Sequence, residues 1–239
     1  MNLQELRSYL DRLIISLKSQ DQAWLEVRLK ALVSVFPFNE YEFILTFLVD
    51  RGVISFGDYE KLRENYVSAN CYLDLFGLAP RIFGQVWGER HLIDLDPRFL
   101  KPDKLFAPDY EGQYDLWFDG VRVEVKAARA VDTKKRGDLV SKALHYGSTG
   151  PFWMNFQQIK IGTCDVFVFI GVWVDRIVYW VMSNDDVKTN KHLSHQHRGG
   201  IEYQIGITHK NIREFDAYQA GATSLASVIA AKGKAPCRT

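Results

Sequence analysis

The chain has 239 residues, of which 47% are hydrophobic and 25% are charged, and its formal net charge is +1. This balance is typical of a globular protein and excludes a disordered chain, while the length suits one large domain or a core with a small accessory domain. Three cysteines without paired spacing exclude a disulfide scaffold and a zinc module, and they fit a reducing cytoplasm: Cys71, Cys164 and Cys237.

The sequence carries no pattern of a secretory signal, because residues 1–20 are amphipathic and charged. The longest apolar run, at residues 166–174, is too short to cross a bilayer. We therefore expect a cytoplasmic protein with no membrane partner.

Residues 1–84 are predicted to form a helical region. Leucines three and four residues apart between Leu3 and Leu17 define one apolar helix face. Further helices are predicted at residues 23–36, 40–50 and 57–69, with Asn39 as a cap. A connector at 88–108 follows, with Glu89 on or near a helix that ends around Leu95. We divide the chain into this helical region, 1–84, and a core, 85–239.

The strongest local signal is a β-hairpin at residues 114–128. Its two halves alternate in polarity around Asp119-Gly120, a pair typical of a two-residue type I′ turn, in which both residues have positive φ. The register that this turn imposes places Asp115 opposite Glu124. The valines of the second strand then share one face, and Glu124 and Lys126 share the other.

Two carboxylates side by side repel each other in a strand pair. A divalent cation reverses that repulsion, and Mg²⁺ usually binds one or two carboxylates together with waters and substrate phosphates. The alternative is a solvated hairpin face on which Lys126 reduces the repulsion. The apolar valine face indicates a hairpin in a central sheet, and this favours the metal site.

After the hairpin we expect a loop with a short polar helix at 132–150, a polar segment at 152–160 and a strong apolar strand at 165–174. A strand at 177–182, a polar loop at 183–200, a strand at 201–208 and helices at 211–218 and 222–231 complete the order. This order predicts an α/β fold, with a mixed central sheet flanked by helices and a helical N-terminal subdomain.

Asp115, eight intervening residues and Glu124-Val125-Lys126 resemble the Asp…Glu-x-Lys signature of the PD-(D/E)XK nuclease superfamily. Most members are restriction endonucleases or related DNA-repair and resolvase enzymes. The resemblance covers roughly residues 89–182, where the hairpin, the polar helix and the apolar strand after it add to the signature. It implies a restriction-endonuclease-like core.

The resemblance also implies roles for these residues. Asp115 and Glu124 become metal ligands, and the backbone carbonyl of Val125 completes the ligands that the protein supplies. Lys126 orients the attacking water or stabilises the charge that develops on the phosphate. Asp109, which follows a proline, is the alternative first carboxylate, but only Asp115 falls opposite Glu124 in the predicted register.

Two further residues are minor candidates for the site by the same resemblance. Glu89 precedes the signature at a spacing where many relatives place a helix acid near the metal, and a surface acid is the alternative. Gln158 resembles a polar residue that some relatives carry near the active site. Gln157 is equally placed, and either residue would also suit a contact with DNA or solvent.

Residues 122–160 contain eight lysines and arginines but three acids, a local excess of five positive charges. A basic patch beside a metal-binding face suits contact with a phosphate backbone, whereas a solvated loop is the alternative. A later loop rich in histidine suits a groove or phosphate contact, with a solvent loop as the equal alternative. The candidate DNA contacts are Lys134, Lys135, Arg136, Lys142, Lys160, His195, His197 and Arg198.

The function implied by the resemblance is a Mg²⁺-dependent endonuclease that hydrolyses phosphodiester bonds in double-stranded DNA, with a type II site-specific restriction enzyme as first choice. We expect Mn²⁺ to substitute for Mg²⁺, and Ca²⁺ to support binding without cleavage. The sequence has no Gly-rich phosphate-binding signature, so no nucleotide cofactor is expected.

Expected partners are double-stranded DNA, a second copy of the chain in a homodimer, and a cognate DNA methyltransferase in the same host. The N-terminal helices would form the dimer interface or recognise DNA. A structure-selective repair nuclease or Holliday junction resolvase is the alternative function, and a non-catalytic DNA-binding protein is the alternative of another class.

Overall fold

The structure is a computed structural model that describes residues 3–32, 37–105, 107–196 and 202–234. Its N-terminal part contains the four predicted helices around an apolar cluster of their own, in which Leu10, Ile44 and Leu48 are fully buried. The helices are α1 (Leu3–Ile15), α2 (Ser19–Ala31), α3 (Pro37–Asp50) and α4 (Phe56–Ser68).

A second group of helices follows and leads into the sheet: α5 (Asp74–Gly77), a π-helix (Ile82–Trp87) and α6 (Gly88–Leu95). Leu73, Phe76 and Phe83 pack in one cluster with the valines of the sheet. This segment therefore packs with the sheet, although it precedes the predicted boundary at residue 84. Among the described residues, no helix combines the length and the apolar character that crossing a bilayer requires.

The described residues form nine strands: β1 (Leu116–Phe118), β2 (Val121–Arg129), β3 (Val131–Asp132), β4 (Phe152–Ile159), β5 (Val166–Val172), β6 (Ile177–Ser183), β7 (Leu193–His195), β8 (Tyr203–Thr208) and β9 (Gln219–Ala220). One sheet has the order β1-β2-β5-β6-β9, in which β2 and β5 are parallel and the other neighbours are antiparallel. The second sheet, β3-β4-β8-β7, is antiparallel throughout.

The five-stranded sheet is buried on both faces. Alternate residues of β5, such as Val168 and Ile170, pack with α6 and with α8 (Leu225–Gly233). The intervening Phe167 and Phe169 pack against the second sheet, together with Met154. The predicted α/β class, with a mixed sheet flanked by helices, is confirmed. The second sheet packs against the face of the mixed sheet that is opposite the helices.

The hairpin turn has the predicted geometry. Asp119 and Gly120 have φ values of 46° and 89°, as a type I′ turn requires. Phe118 pairs with Val121, and Leu116 pairs with Val123, in the predicted register. The turn therefore determines which side chains of β2 face the core.

The prediction of a polar helix within residues 132–150 is wrong, because the structure has no helix there. The backbone N–H groups of Asp132 and Thr133 donate to the carbonyls of Lys142 and Pro151, at 2.8 and 3.0 Å. These contacts across the loop satisfy groups that a helix would otherwise bond internally. The connection between the parallel strands β2 and β5 consequently runs through β3 and β4, without a helix.

Two other segments contain structure beyond the prediction. Residues 152–160 form β4, because Phe152, Met154 and Phe156 alternate with polar residues and face the core. The segment predicted as a polar loop at 183–200 contains α7 (Asn184–Lys188) and β7. A capping box of Ser183 and Asp186 starts α7.

Gly171 lies in β5 where the second sheet packs closest. A Cβ atom there would lie 2.6 Å from the ring of Trp180 and 3.1 Å from the sulfur of Met154. We expect Gly171→Ala to lower the free energy of unfolding by about 1–3 kcal/mol, because large side chains would have to move within a close-packed interior. Urea denaturation measures this loss.

The matched control is Gly57→Ala in the first turn of α4, where a Cβ atom has only the Ser55 hydroxyl at 3.9 Å. We expect this change to be neutral or to stabilise the protein by up to about 1 kcal/mol, because alanine has the higher helix propensity. Equal losses in the two variants would contradict the proposed contact between the sheets.

Candidate functional site

The signature residues line one open cavity of about 830 Å³. Its walls come from the π-helix, from residues 112–115 before β1, from β2 and from β4. The sequence-predicted residues in its lining are Asp115, Glu124, Val125, Lys126, Glu89, Gln158 and Lys160. The fold therefore brings these residues from four separate stretches of the chain to one place.

Alternation along β2 positions two of these side chains. Val123 and Val125 are buried in the cluster that contacts α6 and α8. Gly88, the first residue of α6, packs there, since a Cβ atom on it would lie 3.6 Å from Val125. Glu124 and Lys126 consequently project from the opposite face of β2, toward the cavity.

Asp115 reaches the site in a different way from the prediction. The paired ladder ends at Leu116, so Asp115 is not a ladder partner of Glu124. Its backbone N–H donates to the carbonyl of Val123 at 3.1 Å. Its carboxylate Oδ2 accepts from the backbone N–H of Val125 at 2.8 Å, which holds the side chain over the end of the hairpin.

This early end of β1 leaves one edge of β2 free of a strand partner at Val125. The N–H and C=O groups of one residue in a strand point to the same edge. Because the Val125 N–H is directed to Asp115, the Val125 carbonyl lies on the edge where Asp115 is. The predicted ligand atoms are thus on one side of β2.

Glu124 forms an ion pair with Lys126, whose Nζ lies 2.7 Å from Glu124 Oε1. The two side chains are only 12% and 15% exposed. The pKa of Glu124 is raised to about 7, chiefly by burial and also by the negative charge of Asp115, against the opposing charges of Lys126 and Lys160. The site is therefore short of positive charge around this carboxylate.

Glu89 lies in the first turn of α6 and is 8% exposed. Its carboxylate forms an ion pair with Lys101, which lies in the connector before β1. The helix acid is therefore a buried residue of the cavity wall, and the alternative of an exposed surface acid is wrong.

Gln158 lies at a β-bulge. The pairing of β4 with β8 shifts between Phe156 and Ile159, so one extra residue is accommodated there. Gln158 has a φ of 57°, a left-handed conformation that side chains other than glycine rarely adopt. Gln157 also lines the cavity, so the structure brings both glutamines to it.

The alternative first carboxylate, Asp109, is exposed and is not part of the cavity wall. Its backbone carbonyl accepts from the amide of Gln113 at 2.8 Å. Of the two aspartates, Asp115 is the one that shares the cavity with Glu124.

The predicted DNA contacts are spread more widely. Lys160 lines the cavity and lies 3.9 Å from Glu202. The ring of His195 lies tilted against that of Tyr203 with centroids 4.4 Å apart, outside the cavity lining. Lys134, Lys135, Arg136 and Lys142 lie on the loop between β3 and β4, also outside the lining, and His197 and Arg198 lie outside the described residues.

The sequence did not indicate several residues of the cavity wall. Gln85 lies in the π-helix and Arg81 directly precedes it, and Arg81 donates to the Gln85 side chain at 3.0 Å. Glu202 comes from the segment before β8. No local pattern distinguishes these from other surface residues, since only the packing of the π-helix and β8 around β2 and β4 brings them to the site.

The described residues contain no group of three or more His, Cys, Asp or Glu side chains that could hold a metal ion. The donors that the resemblance implies are two carboxylates, Asp115 and Glu124, and one backbone carbonyl, Val125. This set is too small for a closed protein cage. It suits a hard cation such as Mg²⁺, which keeps several waters and takes further oxygens from substrate phosphates.

The raised pKa of Glu124 predicts a pH effect on stability. Since the folded value of about 7 exceeds the ordinary 4.5, protonation stabilises the folded protein below pH 4.5, and this contribution is lost as the pH rises through 7. Glutamine does not titrate. In metal-free buffer, the unfolding free energy of wild type relative to Glu124→Gln should therefore fall by about 3 kcal/mol between these two pH values.

Urea denaturation of both proteins across this pH range makes the measurement, and the comparison cancels the other titrating groups. A difference between the two proteins that does not depend on pH would contradict a buried, destabilised Glu124 carboxylate.

Comparisons of the chain with protein-family models, curated proteins and solved structures give no match. The function is therefore argued from the chemistry and geometry of the cavity.

Proposed function

We propose that this protein is a Mg²⁺-dependent endonuclease that hydrolyses phosphodiester bonds in double-stranded DNA, with a type II restriction enzyme of the PD-(D/E)XK kind as first choice. One observation carries the proposal: Asp115, Glu124 and Lys126 line a single open cavity on β2. Strand alternation puts Glu124 and Lys126 on one face of β2, and the hydrogen bond from the Val125 N–H brings the Asp115 carboxylate to the same cavity.

The donor set fits a hard cation. Asp115 and Glu124 would hold Mg²⁺ with the Val125 carbonyl, and the cation would offset the burial and the repulsion from Asp115 that raise the pKa of Glu124. When bound, Mg²⁺ polarises a phosphoryl oxygen and lowers the pKa of a bound water.

Lys126 supplies the other part of the chemistry. Its ammonium group is 15% exposed and lies beside Glu124, so it is held in place in a partly desolvated site. There it would donate to the attacking water or to a phosphate oxygen, where charge increases in the transition state. A fixed positive charge acts more strongly in such an environment than in bulk water.

The finer fold assignment belongs to the same proposal. An antiparallel hairpin carries the acidic residues, and the apolar strand β5 runs parallel to its second strand. Both features agree with a restriction-endonuclease-like core. The connection through β4 departs from the helix that the resemblance implied, and we interpret it as a variation of that core.

The cavity also contains cationic residues for the DNA backbone. Lys160 and Arg81 line it, and the loop with Lys134, Lys135 and Arg136 extends from the end of β3. A palindromic site would be cut by a homodimer, in which two-fold symmetry places one cavity on each strand. The helices α1–α4 would then form the interface or contact DNA.

The central experiment is cleavage of plasmid and sequenced phage DNA with and without Mg²⁺. We expect Glu124→Gln and Asp115→Asn to lower the cleavage rate by about 100-fold or more, because each removes a charge that holds the cation. Binding to DNA in Ca²⁺ should change much less. The control is Asp109→Asn, a neighbouring exposed carboxylate that should retain full cleavage.

The products separate the candidate functions. Discrete Mg²⁺-dependent bands indicate a site-specific enzyme, and selective cutting of branched DNA indicates a resolvase. Binding without cutting would overturn the enzyme in favour of a DNA-binding protein. Full cleavage by Glu124→Gln would show that Glu124 is not needed to hold the cation.

A second prediction concerns the basic loop. Lys134→Ala combined with Lys135→Ala should weaken binding to all DNA sequences and reduce the slope of log K against log salt by roughly one unit for each lysine. Titrations at several salt concentrations measure the slope. The exposed pair Lys188→Ala and Lys210→Ala is the charge-matched control, and an unchanged slope in the first variant would exclude this loop from phosphate contact.

A further inference from the structure

Trp153 is the largest exposed side chain in the cavity wall, with 47% of its surface exposed. Its neighbours Phe152 and Met154 on β4 are buried in the core between the sheets. Trp153 therefore projects from the opposite face of β4. An exposed indole in a cavity wall offers a large apolar surface that a ligand can cover favourably.

The ring of Trp153 packs against β8, the neighbouring strand of the second sheet, at Gly206. A Cβ atom on Gly206 of β8 would lie 3.0 Å from Trp153 Nε1 and 3.7 Å from Cδ1. The ring is thus held against backbone, where any larger residue would displace it. No ring contact to Trp153 occurs among the described residues. Trp24, which is 41% exposed, instead stacks on Phe47 with ring centroids 4.9 Å apart.

Asn155 adds a polar group two residues along the same face. Its Nδ2 donates to Gln204 Oε1 at 3.2 Å. Its Oδ1 is buried and has no hydrogen-bond partner in the described part of the chain. An unsatisfied buried acceptor is costly, and the amino group of a nucleobase is a donor that would satisfy it after a small rotation of the side chain.

We propose that Trp153 stacks on one unpaired nucleobase of bound DNA. This base would lie beside the phosphate that is cleaved at Asp115 and Glu124. This inference rests on the proposed nuclease function and deepens it by defining the substrate. In a duplex, stacked neighbours cover both faces of each base, so only a base outside the stack can lie on a ring in a cavity wall. The preferred DNA therefore has an extrahelical nucleotide at the site of cleavage.

The charges of the cavity agree with this occupant. Lys160 and Arg81 also line the cavity and suit the phosphates on either side of the unpaired nucleotide. The aromatic ring then holds the base, and the cationic groups hold its backbone.

The test uses fluorescence anisotropy in metal-free buffer, so that binding is measured without cleavage. Three labelled DNAs are compared: a paired duplex, the same duplex with one extra unpaired nucleotide, and that duplex with the extra nucleotide abasic. Wild type should bind the unpaired base about 5- to 150-fold more tightly than its abasic counterpart. Trp153→Ala should lose this preference, and its affinity for the paired duplex should change little.

Two substitutions separate stacking from apolar bulk. Trp153→Phe keeps an aromatic ring and should retain most of the preference for the base. Trp153→Leu keeps apolar volume without a ring and should lose it. Trp24→Ala removes a similarly exposed tryptophan outside the cavity and should leave the preference unchanged.

The outcomes distinguish this inference from the proposed function. Equal preference for the base in wild type, Trp153→Ala and Trp153→Leu would overturn the stacking role, as would the absence of any preference in wild type. In both cases DNA binding and Mg²⁺-dependent cleavage would keep the nuclease proposal intact. Wild type that neither binds nor cuts any of these DNAs would overturn the nuclease proposal, and this inference with it.

Discussion

The burial of β5 on both faces is the constraint on which the rest of the structure depends. Every residue of this strand is buried, with branched aliphatic side chains toward the helices and aromatic side chains toward the second sheet. The two faces of the sheet pack against different elements. The strand β2 can therefore pair with β5 only in the register that places the valines of β2 on the helix side. That register directs Glu124 and Lys126 to the other side.

The position of these charged side chains on the sheet is energetically unfavourable, although the sheet around them is well packed. Glu124 and Lys126 are nearly buried, and Asp115 adds a second negative charge, so the pKa of Glu124 rises to about 7. A well-packed apolar pair would avoid that cost. Groups with strongly shifted pKa values in a cavity are typical of sites where chemistry occurs, because the same desolvation makes charges act strongly on a ligand. The geometry is therefore easier to explain as a working site than as a stabilising one.

The second sheet gives the cavity its particular character. Its β4 strand occupies the connection between β2 and β5, and it supplies Trp153, Asn155 and Gln158 to the wall. The bulge at Gln158 changes the direction of the strand where it meets the carboxylates. A helix in this connection would present side chains on one stripe only, whereas a strand presents a flat row that suits an extended nucleotide chain. In the proposed function, this sheet would supply the substrate preference and β2 would supply the hydrolytic chemistry.

The sequence alone determined the parts of the protein that depend on local pattern. The Asp119-Gly120 turn imposed the hairpin register, the alternation of β2 placed the valines in the core, and the leucine spacing indicated the N-terminal helices. Local pattern could not place Asp115 correctly, because its contact with the Val125 N–H replaces a ladder pair. The segment at 132–150 was also mistaken, since its backbone groups bond across the loop.

Only the tertiary structure decided which distant residues share the cavity. Glu89, Arg81, Trp153 and Glu202 come from separate elements, and each carries an ordinary local sequence. The choice between Asp109 and Asp115 was likewise a matter of position in space. The physical reason is that turns and strand faces depend on neighbouring residues, whereas a cavity depends on how whole elements pack against one another.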